Sequence, residues 1–564
     1  MKRFLRLTML AIPLIGIGIY SCTDSFLDTP PQAALSNTLL SSSKAGVDAT
    51  LIAAYKSVGG WTGGGANAWG AAPSNWVYNL AADEFHKGSE AGDGDGWLAV
   101  QLFQWNPAEG SFNDKWRSCY EGVSRANSAI TTATEFLKAN AGEKTYVDAV
   151  LGEATFLRAW QHFELYRIFK NAPYFTEADK DFNKANDKPM IPLIQADLEK
   201  AISLLPANKT SVGRVDKTVA TAYLGKLKLY NKDYAGALAA FNTVISSGKY
   251  KLADCIYDNV NIATENNSEN MFSVQSSVND GDAGGANANN HERLGLPHGD
   301  SFTSCCGFKQ PSNDLVMAFK VDANGLPIPT KGVAVKRIEA GAADVLDPRV
   351  EYTAGRTGVP YLDWGPHKDS WIRGQGYQGW YSPKRTVHLK SQPTLAGGWT
   401  GTQLSALNFP LMRYADVLLM AAECEVEAGS LEKAREYVNM IRTRAGNCTQ
   451  GAGTNLKVAI NAPEITWGKY AMGTYKTAWT DKAVAREAVR TERRLELALE
   501  GHRVFDLQRW GVYESVMAEY IPRESKLVTI YSQAKVPTAT NYAFPIPSTE
   551  IAKSNGVLKQ NPGY

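Results

Sequence analysis

Apolar residues recur at three- and four-residue spacing through much of the chain, the period of a helix with one buried face. Residues 218–250, TVATAYLGKLKLYNKDYAGALAAFNTVISSGKY, predict an Ala- and Leu-rich helix, a break at Asn231-Lys232-Asp233, and a second helix with Ala237, Phe241 and Val244 on one side. Residues 413–446 repeat that layout, with Leu431 to Ala434 standing where Tyr234 to Ala237 stand, at the same distance after the break. Further helices are predicted at 114–139, paired with 146–169, and at 191–205. Between the two repeats the period disappears. From about 252 to 408 the chain is rich in Gly, Asn, Pro and aromatic residues, as in NDGDAGGANANNHERLGLPHGDS and YLDWGPHKDSWIRGQGYQGWYSPKR. Such stretches do not hold long helices, and long loops on a rigid scaffold commonly carry function. Residues 59–76 have the same texture.

Leu224-Gly225, Ala237 and Phe241 match four positions of the tetratricopeptide pattern, in which small residues let two antiparallel helices approach closely. The expected fold is therefore mainly α: a scaffold of tetratricopeptide-like helical hairpins carrying a loop-rich, aromatic-rich ligand-binding layer. One compact unit is expected over residues 37–564, with helical repeats near 114–250 and 409–511 and a loop-rich insert near 252–408.

The front end reads differently. Met1-Lys-Arg-Phe-Leu-Arg is a short basic head, and residues 7–20 carry no charge. A span of the bilayer needs about 20 apolar residues, so this shorter run predicts a removable signal peptide, residues 1–21. Ile19-Tyr20-Ser21-Cys22 resembles a bacterial lipobox, with Tyr20 bulkier than usual. That resemblance makes Cys22 the acylated first residue of the mature chain and residues 22–36, with Pro30-Pro31, a lipid-anchored tether. More than one acyl chain would supply the second anchoring signal that stable membrane attachment requires.

Composition narrows the function. With 44% hydrophobic residues the chain can bury a large core, and 59 basic against 57 acidic residues leave a net charge near +2. No dense basic run is present, which removes the electrostatic footprint of nucleic-acid binding. The seven cysteines include the adjacent pair Cys305-Cys306 and show neither CxxC nor paired metal spacing. That adjacent pair reads as thiols or one local disulfide.

Five stretches occur together in a recognisable order: Cys22 with Phe26-Leu27-Asp28; AADEFHKG at 81–88, running through DGDGW to WRSCYEGVSRAN at 116–127; GEATFLRAWQHFELYRIFKNAPYF at 152–175; RTERRLELALEGHRVFDLQRWG at 490–511; and YAFPIPSTEIAKSNGVLKQNPGY at the C-terminus. Over nearly the whole chain this resembles the RagB/SusD family of surface lipoproteins of Bacteroidetes-type bacteria. The resemblance implies an outer-membrane protein facing the cell exterior that binds a nutrient oligosaccharide without cleaving it. It also implies a partner, a SusC-like TonB-dependent transporter on which the lipoprotein sits as a hinged lid. Some relatives capture peptides, which is the alternative reading of the same architecture.

The residues admit their own reading beside it. Glu492, Glu496 and Glu500 form an i, i+4 ladder facing Arg490, Arg493, Arg494 and Arg503, expected to fix a structural helix against its neighbours. Asp83-Glu84 is a carboxylate pair, but a glycosidase needs two carboxylates flanking one bond at about 5–9 Å, and the family reading makes the pair structural. Gly374 to Gly379 formally matches GxGxxG without the flanking strand and helix of a dinucleotide site. No P-loop, HExxH or GxSxG occurs, and DGDG at 93–96 lacks the twelve-residue calcium loop. No enzyme activity, cofactor or metal is expected; a surface hydrolase and a pure repeat scaffold are the weaker alternatives. What remains is aromatic residues beside glycines. Trp61, Trp69, Trp97, Trp364, Trp371, Tyr377 and Trp380 are the candidate platform on which sugar rings would stack, with Asp93, Asp95, Asp363 and Arg373 as polar partners. By the resemblance, Trp97 stands where the family often carries an aromatic residue in a ligand-facing loop.

Overall fold

A computed structural model describes residues 37–60, 69–282, 284–301, 303, 305–396 and 401–564. The expected signal peptide, Cys22, the tether and Trp61 lie outside the described residues.

Ten helices of twelve residues or more are present among the described residues: α1 Lys44–Lys56, α2 Gly110–Ala139, α3 Lys144–Phe169, α4 Met190–Leu204, α5 Lys217–Tyr230, α6 Tyr234–Ser246, α7 Tyr414–Ala428, α8 Leu431–Ala445, α9 Lys482–Glu496 and α10 Tyr513–Glu524. Local chemistry sets their starts. Asp216 caps α5 by accepting from the Val219 amide at 3.0 Å, and Asp233 caps α6 by accepting from Gly236 at 2.9 Å. Ser430 and Asp481 do the same for α8 and α9, each satisfying amides that have no partner inside the helix. At Gly225 the first repeat closes: a Cβ there would lie 2.6 Å from the Phe241 ring, so only glycine lets α5 and α6 meet at this point.

The helices stack in chain order, α1 on α2, then α3, α4, α5 and α6, and α6 then packs on α7 although 167 residues separate their nearest ends. The loop-rich segment leaves the stack and returns within that gap. Its longest described helix is Asn313–Ala318, six residues. Two short antiparallel ribbons pin it: β1 Phe85–Gly88 against β3 Phe308–Pro311, and β2 Asn270–Val274 against β4 Phe409–Arg413. The second ribbon runs directly into α7, so the loop layer is stitched to the scaffold at its exit.

One buried apolar cluster runs from Val47 to Leu558 through all the long helices. A second, smaller one gathers Tyr257, Tyr352, Tyr361, Trp371 and Val387 around the Cys255–Cys448 disulfide inside the loop layer. Between layer and scaffold lies a buried charge network. Arg349, Arg385, Arg413, Arg442 and Arg444 face Glu269, Asp347, Glu492, Glu496 and Glu500, with contacts such as Arg349–Glu492 at 2.7 Å, Arg413–Glu500 at 2.8 Å and Arg442–Glu492 at 2.8 Å. Glu496 alone meets Arg349, Arg413 and Arg444. Burial pushes its carboxyl up, but these guanidiniums outweigh burial and hold it below the usual carboxylate range.

The expected ladder is therefore structural in role but different in form. Helix α9 stops at Glu496, and Leu499 and Gly501, both at positive φ, turn the chain so that Glu500 reaches Arg413 from outside the helix. The arginines expected opposite the ladder look elsewhere: Arg493 binds Asp416 and Asp506, while Arg494 and Arg503 bind Asp83.

Candidate functional site

The loop layer presents a polar rim built on residues 87–101. Strand β1 ends at Gly88 and Ser89, both at positive φ, and Gly94, at φ 72°, turns the chain into the short helix Asp95–Gln101. The Lys87 ammonium holds this turn from beneath, donating to the carbonyls of Glu90 at 2.9 Å and Asp93 while lying 5.5 Å from the centre of the Phe308 ring. Burial lowers its pKa to about 8, against the pull of Asp93 and Asp95.

Arg373 reaches this turn from 280 residues away. Its guanidinium donates to Asp93 at 3.0 Å, to Ser89 at 3.1 Å and to Glu90, and Ser89 donates to Asp93 at 2.7 Å. Asp95 and Arg373 are exposed, and Tyr377 is half-buried close enough to Asp95 for the carboxylate to add to the burial that raises the phenol's pKa. Four of the expected polar and aromatic residues thus converge here: Asp93, Asp95, Arg373 and Tyr377. Lys87, Ser89 and Glu90 complete the rim. Lys87 sits inside the AADEFHKG stretch and Ser89 and Glu90 follow it directly, but no spacing in the sequence signals their pairing with Arg373.

Beside the rim lies an aromatic cluster. Trp97 packs edge-on against Trp69 at 5.8 Å, Trp76 at 5.1 Å and Phe308 at 5.2 Å between ring centres, and its indole donates to Ser111 at 2.9 Å. Such pairs contribute roughly 0.5–1.5 kcal/mol each beyond the area they bury. Trp97 is only 8% exposed, so it is a pier of the layer and offers no open face for stacking. Trp69 is the half-buried outer member, with the Arg293 guanidinium 5.3 Å from its ring centre. Trp380 is also half-buried, clasped by Arg337 at 4.0 Å and donating to the Leu527 carbonyl at 3.2 Å.

Of three further expected residues, Trp371 belongs to the second apolar cluster, Trp364 packs against it, and Asp363 stands next to Trp364 in the chain. Trp371 is 5% exposed and edge-on to Tyr361 and His367. Trp364 donates to the His388 carbonyl at 3.0 Å, and the Asp363 carboxylate accepts from the Lys390 and Ser391 amides at 2.7 and 3.1 Å. The expectation of an open platform at Trp97 and Trp371 is corrected for a physical reason: glycine-flanked loops here fold back and bury their rings in local cores. The glycines supply the turns, not the exposure.

The other candidate chemistry is spent on structure. Asp83 accepts a bidentate pair from Arg503 at 2.7 and 2.8 Å, and Glu84 accepts from the Leu499 amide at 3.2 Å. Burial raises the Glu84 carboxyl to about 7, with the neighbouring Asp83 charge adding to the rise. Among the described residues no group of three or more His, Cys, Asp or Glu is placed to hold a metal, and no helix is long and apolar enough to cross a membrane. Cys305 and Cys306 are joined to each other; Cys119 and Cys424 are buried thiols.

Comparison with known proteins decides the family. A sequence profile of the SusD family matches residues 268–564, and a second, described as starch-binding associating with outer membrane, matches residues 25–229. The chain belongs to the SusD family. Its relatives include SusD-like protein P2 of Formosa agariphila, 25% identical over 492 residues, covering 82% of this chain and 83% of that one. Among solved structures, a SusD homologue from Bacteroides thetaiotaomicron superposes with a TM-score of 0.70 at 17% identity, covering 94% of this chain and 99% of the other. Surface glycan-binding protein A from the same organism, solved in complex with laminarihexaose, superposes with a TM-score of 0.65 at 19% identity, covering 92% and 99%. The mainly α fold expected from the periodicity, SusD-like by the resemblance, is the fold observed.

Proposed function

We infer that this SusD-family chain captures an oligosaccharide on its loop layer and passes it intact to a SusC-like TonB-dependent transporter in the outer membrane. The observation that carries the reading is the rim at Asp93, Asp95, Arg373 and Tyr377 beside half-buried Trp69. Charged donors and acceptors there meet an aromatic edge on a turn fixed by Lys87, the mixture of broad apolar faces and a few oriented polar groups that suits sugar rings. Trp97 supports the rim from beneath, and Trp380 flanks it through Gly376, whose Cβ would touch the indole at 3.4 Å. A structural relative solved with laminarihexaose supports the ligand class, and a family description naming the outer membrane supports the location.

The carboxylates singled out as catalytic candidates, Asp83 and Glu84, are buried and held by arginine and backbone donors, which supports binding without cleavage. Acylation of Cys22 would tether the protein at the cell surface through residues 22–36. The test is calorimetric titration of the purified protein with a panel of oligosaccharides, followed by chromatography of the recovered sugar. Binding with the sugar returned intact supports the reading. Shortened products would replace it with a hydrolase, and binding of peptides alone with peptide capture.

A further inference from the structure

On the helical side of the molecule a groove of about 660 Å³ runs between α2, residues 173–184 and the C-terminal segment. Its residues are separate from those of the loop-layer rim. Tyr120 and Phe175 form its inner wall, edge-on to each other at 5.6 Å, and Phe182 stands at its lip with 76% of its surface exposed, 5.9 Å from Phe175. Phe182 thus touches Phe175 along one edge and leaves most of its ring open to water.

The groove is preformed. Tyr120 donates to the Pro173 carbonyl at 2.7 Å, the His162 imidazole accepts from the Phe175 amide at 3.2 Å, and His162 stacks on Tyr174 at 3.8 Å. Across the groove, Asn186 and Lys559 exchange hydrogen bonds at 2.8 and 2.9 Å, tying the loop to the C-terminal segment. Its acidic groups are already neutralised: Glu121 pairs with Arg125, and Glu550 with Lys553 at 2.7 Å. Arg117 is exposed in the groove and has no side-chain partner among the described residues. Phe175 is buried with the Lys184 ammonium 5.2 Å from its ring centre, so Phe182 supplies the open aromatic face. A free guanidinium beside such a face has a specific complement: it matches a carboxylate with two parallel hydrogen bonds, while the ring takes the apolar face of a sugar.

We propose that this groove is a second glycan-binding site, taking a saccharide chain that bears a carboxylate, with Arg117 on the acid group and Phe182 stacked on a ring. The choice of a saccharide over other carboxylates rests on the glycan-capture reading above. A groove of this size falls within the range of ligand sites, about 300–1,000 Å³.

The test titrates the full-length protein in detergent with tetragalacturonate and with its fully methyl-esterified form, comparing wild type with Arg117→Ala, Phe182→Ala, Phe182→Trp and Arg373→Ala. Tetragalacturonate is expected to bind at least tenfold more tightly than the ester. Arg117→Ala should remove that preference, Phe182→Ala should weaken binding at least tenfold, and Phe182→Trp and Arg373→Ala should leave it unchanged. Both groove side chains are exposed, so their replacement leaves the fold in place. No binding of tetragalacturonate, or binding untouched by Arg117→Ala and Phe182→Ala, would overturn the proposal. Binding lost only in Arg373→Ala would overturn it too, by assigning the acidic sugar to the loop layer. A neutral glycan whose binding depends on Arg373 and not on Arg117 tests the loop layer separately.

Discussion

Replacing Glu496 with Gln keeps the shape of the side chain and removes one charge from the network that joins loop layer to scaffold. Five guanidiniums face five carboxylates there, and Glu496 contacts three of the five cations. After the change one buried positive charge is uncompensated, a defect that typically costs about 3–5 kcal/mol. Each affected arginine keeps another carboxylate: Arg349 keeps Asp347 at 2.6 Å, Arg413 keeps Glu500 at 2.8 Å, and Arg444 keeps Glu269 at 2.6 Å. The cost is therefore expected at the low end, about 3 kcal/mol. Equilibrium denaturation with urea reads it as a lower midpoint at unchanged slope. Adding Arg444→Met restores the charge balance, so the double variant should be less destabilised than the two single changes summed, by about 1 kcal/mol or more. The pH dependence has a defined sign. Because Glu496 is held below the usual carboxylate range, its stabilisation is present above that range and is lost as pH falls beneath it. The variant should lack that share of the acid sensitivity. A cost below about 1 kcal/mol, with additive effects in the double variant, would refute the network's role.

Gly225→Ala should destabilise the protein by about 1–3 kcal/mol, because its Cβ would meet the Phe241 ring, and Phe241→Leu should recover part of the loss in the same denaturation assay. Glu84 has a raised pKa in the folded protein, so the native state holds a proton that the unfolded chain releases between about pH 4.5 and 7. Its contribution to stability thus falls as pH rises through that window, by about 3 kcal/mol in all, and Glu84→Gln should abolish this slope in denaturation midpoints measured across it. Cys22→Ala should move the protein from the membrane to the soluble fraction on cell fractionation; an unmodified distribution would remove the lipid-anchor assignment.

The helical scaffold was legible because its signals are local. Period, break and small residues in 218–250 place two helices whose observed spans, Lys217–Tyr230 and Tyr234–Ser246, differ by at most a few residues, and Gly225 meets Phe241 as the tetratricopeptide pattern requires. The end of α9 was not legible. An i, i+4 run continues through Glu500, but the demands of Arg413 and Arg385, 87 and 115 positions earlier in the chain and in no pattern with it, turn the chain at Leu499 instead. At the candidate site the residue types were visible and their partnerships were not. Asp93 and Arg373 both stand out beside glycines, yet only the fold brings them to 3.0 Å. Trp97 and Trp371 look exposed in a glycine-rich sequence, and burial in local aromatic cores depends on Phe308, Trp76 and Tyr361, which the local pattern does not link to them.

The loop layer as the glycan site is tested most directly by titrating wild type, Trp69→Ala and Arg373→Ala with the oligosaccharide that binds most tightly in the panel. The account predicts that each substitution weakens binding at least tenfold, that Arg373→Ala leaves the denaturation midpoint within error of wild type, and that Trp69→Ala lowers it only by the loss of its edge contact with Trp97. Unchanged affinity in both variants would contradict it and move the site off the rim.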